Sequence, residues 1–306
     1  MEKMERPEAN PWADLFKLFV LLLVCTLGIQ ILMIILAWIL GKDLNDIIEV
    51  TSDAQGISYF GYLVFAAGSI GTFLLPAYFF QKRNPDRVLF PNANLTNWRL
   101  YIAPIMFFLA LTPLMNLIAE WNMHMQLPES FTSVERWMRA QEDSAGEIVA
   151  QLVMTSDWSR LILNIIVIGF LPAICEEFFF RGALQDIFER IVKNRYVAVW
   201  IVAIIFSAIH FQFFGFFPRF ILGLVFGYMV LWTGNIWTAV FAHFVNNSTV
   251  VLFAFYYAKQ GKGYDAMMQL DTYPIITYLG SFVFSALVVL IFYRYIKKEA
   301  IWKKVG

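Results

Sequence analysis

The chain has 306 residues, is 59% hydrophobic and only 15% charged, and its mean hydropathy is +0.62. A soluble domain of this size needs far more charge to cover its surface, so lipid is the solvent for most of it. The formal net charge is zero, which gives no basis for a nucleic-acid partner.

The opening stretch MEKMERPEANPWADLFK mixes acids with bases. Behind it, the apolar run from Leu18 to Gly41 has 24 residues and no small-residue cleavage site. It predicts a retained span rather than a cleaved signal. Similar runs follow, giving eight segments at roughly 15–40, 57–81, 99–119, 158–180, 196–214, 217–232, 235–257 and 273–295. The fourth is charge-free only from Leu161 to Cys175. The sixth and seventh form one apolar stretch, divided at WTGNIW because Gly234 and Asn235 are turn formers.

Loop charge tests this count. The 2–3 connection, the 4–5 connection (Arg190, Lys193, Arg195) and the C-terminal tail are basic. The 1–2 connection carries Asp43, Asp46, Glu49 and Asp53 against one Lys42. Both termini are therefore expected in the cytoplasm, which requires an even number of spans. In the long connection 120–157, Thr132 with Glu135 and Ser144 with Glu147 form capping-box patterns, and Phe131, Val134, Trp137 and Met138 could share an apolar face. One or two short interfacial helices are expected there. Trp12, Trp98 and Trp158 suit interface anchors, and Cys25 and Cys175 read as small core residues. The expectation is an all-α polytopic membrane protein: one membrane domain over 1–306, about eight transmembrane helices, and a short interfacial helical segment between the third and fourth.

Ionisable groups inside spans are costly and need a partner or a function. Those singled out are Glu176, Glu177 and Arg181 in the fourth segment, His210 in the fifth, and His243 with Asn247 in the seventh. Glu177 and Arg181 are four apart, hence neighbours on one helical face, while Glu176 points about 100° away. Pro172, one turn earlier, is expected to kink the helix and open its backbone. His243 and Asn247 are also four apart. On a straight fifth helix His210 would lie in the outer half of the membrane, displaced from Glu176 in the inner half. The groups meet only if that helix is offset, tilted or deeper.

If they meet, two schemes are open. A carboxylate desolvated among Phe178, Phe179 and Phe180 suits a general base for water. Alternatively, Glu176, His210 and His243 could hold a divalent metal such as zinc with one position left for water. In either scheme Asn247 offers an N–H donor to a developing oxyanion. Both describe amide hydrolysis in a membrane cavity.

The three motifs EEFFFRG, FSAIH and HFVNN match EExxxR, FxxxH and HxxxN, in that order on successive helices. In this the chain resembles the CPBP family of intramembrane proteases, which includes type II CAAX prenyl endopeptidases and bacterial abortive-infection proteins. The resemblance covers a core of 158–257. It implies an endopeptidase acting on a membrane-associated or lipidated protein in a bacterial-type cell membrane. It further implies that Glu176 with His210 activates water, that Glu177 and Arg181 shape the site, and that His243 and Asn247 hold the water or steady the oxyanion. Taken singly, each motif also fits an interfacial ion pair or a structural hydrogen bond between helices. An ion-coupled transporter and a non-catalytic scaffold or immunity protein are the competing functions.

Overall fold

The computed structural model describes residues 10–42, 57–84, 97–269 and 271–298, and every regular element among them is helical. The acids of the 1–2 connection, most of the basic 2–3 connection and the end of the basic tail lie outside the described residues. In chain order the helices are α1 (Pro11–Ile39), α2 (Tyr59–Arg83), α3 (Arg99–Met123), α4 (Thr132–Val153) and α5 (Trp158–Val192). They continue with α6 (Arg195–Ala208), α7 (Phe216–Thr233), α8 (Ile236–Lys259), α9 (Tyr264–Met268) and α10 (Ile275–Lys298).

Seven of these, α1, α2, α3, α5, α7, α8 and α10, are long and apolar enough to cross a membrane. The protein is an all-helical polytopic membrane protein. The expected fifth span is α6, and it is short: 14 residues rise about 21 Å, against a hydrocarbon layer of about 30 Å. The helix stops at Ala208 because the chain turns through Phe211, whose φ is +52°, into a single 3-10 turn at Phe213–Gly215. The expected split between the sixth and seventh segments is present. Gly234 ends α7 with φ +64°, and the Asn235 side chain caps α8 by accepting from the Trp237 amide.

The 3–4 connection differs from expectation. Rather than one or two short helices, it holds a single 22-residue helix, α4. Neither capping box is used. Thr132 Oγ1 donates to Glu129 O, Glu135 reaches the Leu127 amide and Arg139, and Ser144 falls inside the helix. An earlier 3-10 turn at Glu129–Phe131 already satisfies the helix start.

The main core joins α1 (Leu18, Leu21), α2 (Ala77, Phe80), α5 (Phe179, Phe180, Ile187), α6 (Val202, Phe206), α7 (Phe226, Met229) and α8 (Ala239, Ala242). Large apolar side chains on the outer faces of α1 and α10, such as Phe16, Leu27, Phe282 and Ile291, are exposed, as lipid-facing residues are. Trp12, Trp98 and Trp158 are exposed too. Cys175 is buried and Cys25 partly so, and neither forms a disulfide. A buried polar contact fastens α1 to α5: fully buried Asp14 accepts from Arg190 at 3.0 Å and, within α1, from Lys17 at 3.3 Å.

Candidate active site

Helix α5 is not uniform. Ile165–Phe170 and Phe178–Leu184 are π-helical and flank about two α-helical turns, Leu171–Glu177, that begin at Leu171 and Pro172. Proline lacks an N–H and its ring crowds the preceding turn, so the backbone widens there. Wide π turns leave carbonyls free to accept from side chains and recur at functional sites. Here Ile168 O accepts from Asn247 Nδ2 of α8 at 3.2 Å. Glu176 and Glu177 end the stretch between the two wide segments.

From there the acids diverge as their spacing predicts. Glu177 points into the protein and is fully buried. Its Oε1 accepts from Arg181 at 3.0 Å and lies 2.9 Å from His243 Nδ1. Arg181 donates its other terminal nitrogen to Gly223 O of α7 at 2.9 Å and lies over the Phe206 and Phe226 rings, 4.8 and 5.4 Å from their centroids. Phe226 also stacks on the His243 imidazole, with centroids 4.9 Å apart and planes 12° off parallel. A buried charge pair is tolerable only when its remaining atoms are bonded and packed, and three helices supply that here. With Nδ1 turned to a carboxylate, His243 presents Nε2 to the other side. There Glu176 Oε2 stands 4.0 Å away.

His210 meets them because α6 is short. It sits just beyond the helix end, its Nδ1 donating to Phe206 O at 2.8 Å, which fixes the tautomer and leaves Nε2 as the acceptor. Phe206 packs edge-on against both imidazoles, at 5.3 and 6.0 Å between centroids. Glu176, His210, His243 and Asn247 all line one cavity of about 650 Å³. Glu177 and Arg181 stand behind it as support.

Sequence reasoning passes over several residues that build this cavity. Asn122 of α3 is buried and clamps the α6–α7 turn, donating to Phe213 O at 3.1 Å and accepting from the Phe217 amide at 2.9 Å. Asn246 donates to Asn247 Oδ1 at 3.2 Å, orienting its amide. Glu142 of α4 accepts from the Phe214 amide at 3.1 Å, and burial pushes its carboxyl above the usual range despite the pull of Arg219. Arg219 of α7 lines the cavity as well. The cost rule that singles out Arg181 applies equally to Arg219, a lone cation in the aromatic run HFQFFGFFPRF, so this signal was available.

Residues 158–249 match the family model for type II CAAX prenyl endopeptidase Rce1-like proteins. That interval contains all three motifs. The motif-bearing stretch is similar to these proteins. A 90-residue stretch is also 33% identical to the uncharacterized protein YpbD of Bacillus subtilis (strain 168), covering 28% of this chain and 43% of that protein. The chain therefore spans less than half the length of this relative. No solved structure matches it. The matched interval runs from the start of α5 into α8, and α1–α4, α9 and α10 lie outside it. Among the described residues, no three His, Cys, Asp or Glu side chains are grouped closely enough to hold a metal ion. The set Glu176, His210 and His243 supplies two facing donors, Glu176 and His243, rather than an assembled three-donor site.

Proposed function

We propose that the chain is an intramembrane endopeptidase that hydrolyses a peptide bond of a membrane-associated or lipidated protein, using water activated by Glu176. The observation that carries this reading is the shared cavity of Glu176, His210, His243 and Asn247, with Glu177 and Arg181 holding His243 from behind. The 4.0 Å gap between Glu176 Oε2 and His243 Nε2 is too long for a direct hydrogen bond and short enough for one water to touch both. Glu176 takes a proton from that water as its oxygen attacks the scissile carbonyl carbon. The second N–H of Asn247, not used on Ile168, stabilises the oxyanion. The tetrahedral intermediate collapses, the C–N bond breaks, and Glu176 returns the proton to the leaving amine. His210, its Nδ1 proton held by a backbone carbonyl, keeps Nε2 as an acceptor in the same cavity.

The test is a fluorogenic lipid-anchored peptide presented to the full chain in liposomes. Glu176→Gln and His210→Ala are expected to lower cleavage at least 100-fold with melting temperature within a few degrees of wild type, in line with the usual contribution of general acid–base groups. Wild-type rates in both variants would sink the reading. Dialysis against a chelator, followed by elemental analysis, is expected to leave cleavage intact. Loss of activity restored by an added divalent ion would replace the metal-free scheme.

A further inference from the structure

Arg219 has no assignment in the reaction above, yet its guanidinium lines the cavity that holds Glu176. Among the described residues its hydrogen bonds both go to a single neutral residue: Nη1 donates to Gln212 O at 3.1 Å and Nη2 to Gln212 Oε1. Among the described residues no carboxylate comes within 4.0 Å of its nitrogens. Glu142 faces it at longer range, spending one oxygen on the Phe214 amide. The other cation of the cavity, Arg139, is already committed to Glu135 at 2.7 and 3.0 Å and lies over the Phe214 ring. Arg219 therefore faces the Glu142 charge without a direct ion pair, and with two of its five N–H donors spent on Gln212 it keeps donors for a ligand inside the chamber.

The backbone is shaped around this guanidinium. A Cβ on Gly215 would lie 2.6 Å from Arg219 Nη1, 2.9 Å from Nη2 and 3.0 Å from Cζ. Glycine at 215 keeps the guanidinium seated against the α6–α7 turn, and Asn122 and Glu142 hold that turn from two other helices. A guanidinium fixed in this way presents a planar fork, which matches a planar carboxylate. Glu142, Asp143 and Glu176 also line the chamber, and three carboxyl groups oppose a dianion such as phosphate far more than a singly charged group.

We propose that Arg219 is the substrate-recognition residue of this cavity, binding a carboxylate of the peptide being cleaved, either its chain terminus or an acidic side chain near the scissile bond. The proposal rests on the endopeptidase reading for its setting, and its experiment separates the two. Three short apolar peptides of one sequence are compared on the full chain in detergent micelles: a free acid, its C-terminal amide, and the amide with one internal glutamate. Binding is measured first on the Glu176→Gln protein, where hydrolysis plays no part, and cleavage on the wild type.

At least one carboxylate-bearing peptide is expected to bind about 10- to 100-fold more tightly than the neutral amide, as charge-assisted bidentate pairs do. Preference for the free acid identifies the chain terminus, and preference for the internal glutamate identifies a side chain. Arg219→Gln is expected to bring the ratio near one, with the loss in cleavage carried by KM. Arg219→Lys should recover part of it. Gly215→Ala, which crowds the guanidinium without removing it, should behave like Arg219→Gln, and melting curves show whether each variant folds. Equal binding of all three peptides, binding of none, or a preference unchanged in Arg219→Gln overturns the proposal. Cleavage that persists in Glu176→Gln sinks the endopeptidase mechanism alone, since the binding comparison still reports on Arg219.

Discussion

At the scale of single residues, the site separates chemistry from support. Glu177 is wholly buried and binds Arg181 and His243 at once. Removing one partner of such a buried pair leaves the other charge uncompensated. Glu177→Ala is therefore expected to destabilise the protein by about 3–5 kcal/mol, read as a fall in thermal midpoint in detergent. Glu176→Ala, at the cavity wall, should lower activity with little change in that midpoint. An unchanged midpoint in Glu177→Ala would contradict the supporting role. The Glu177–Arg181 pair was legible in the sequence because four residues of spacing fix it. The lock of Glu177 on His243 was not, since it joins positions 66 apart that only the packing of α5 on α8 brings together.

At the scale of elements, spans were legible wherever apolar length alone decides, as in α1, α3 and α10. The end of α6 was not legible. The apolar pattern runs on past Ala208 with no proline or glycine before Gly215, and the turn is imposed instead by Asn122 reaching across from α3. The two π-helical segments of α5 were equally hidden, although Pro172 marked the place where the backbone had to widen. Helix contact makes a further prediction. A Cβ on Gly223 would meet the Ala203 backbone and side chain at 3.1 Å, where α7 crosses α6. Gly223→Leu is expected to cost about 1–3 kcal/mol by overpacking and to displace the carbonyl that accepts from Arg181, so both melting temperature and cleavage should fall.

Helix α4 carries a pH-dependent brace. The Leu127 amide and then Arg139 hold the Glu135 carboxyl below its ordinary value. A depressed carboxylate contributes above its unfolded value of about 4.3 and loses that contribution as pH falls through its lower folded value. The Leu127 amide should therefore be protected at pH 5 and lose protection below about pH 4, measured by hydrogen exchange corrected for intrinsic rate. In Glu135→Gln the protection should not change across that range.

At the scale of the whole molecule, helices outside the family-matched interval pack around it, and α1 is fastened to it through Asp14 and Arg190. Asp14→Ala leaves the Arg190 contact broken and is expected to destabilise by about 1–3 kcal/mol, with α1 becoming accessible to thiol labelling at Cys25. Unaltered labelling would show that apolar packing alone holds the helix. The polytopic class was plain from composition, whereas the entry of His210 into the site depended on one helix being too short for its place.

That shortness has a consequence for the surrounding lipid. A 14-residue helix rising about 21 Å falls short of a hydrocarbon layer of about 30 Å, a mismatch that local thinning of the bilayer would relieve. Water then has less depth to cross before it reaches His210. Reconstitution in lipids of increasing acyl length should slow turnover progressively, while short-chain lipids that match α6 should give the highest rate.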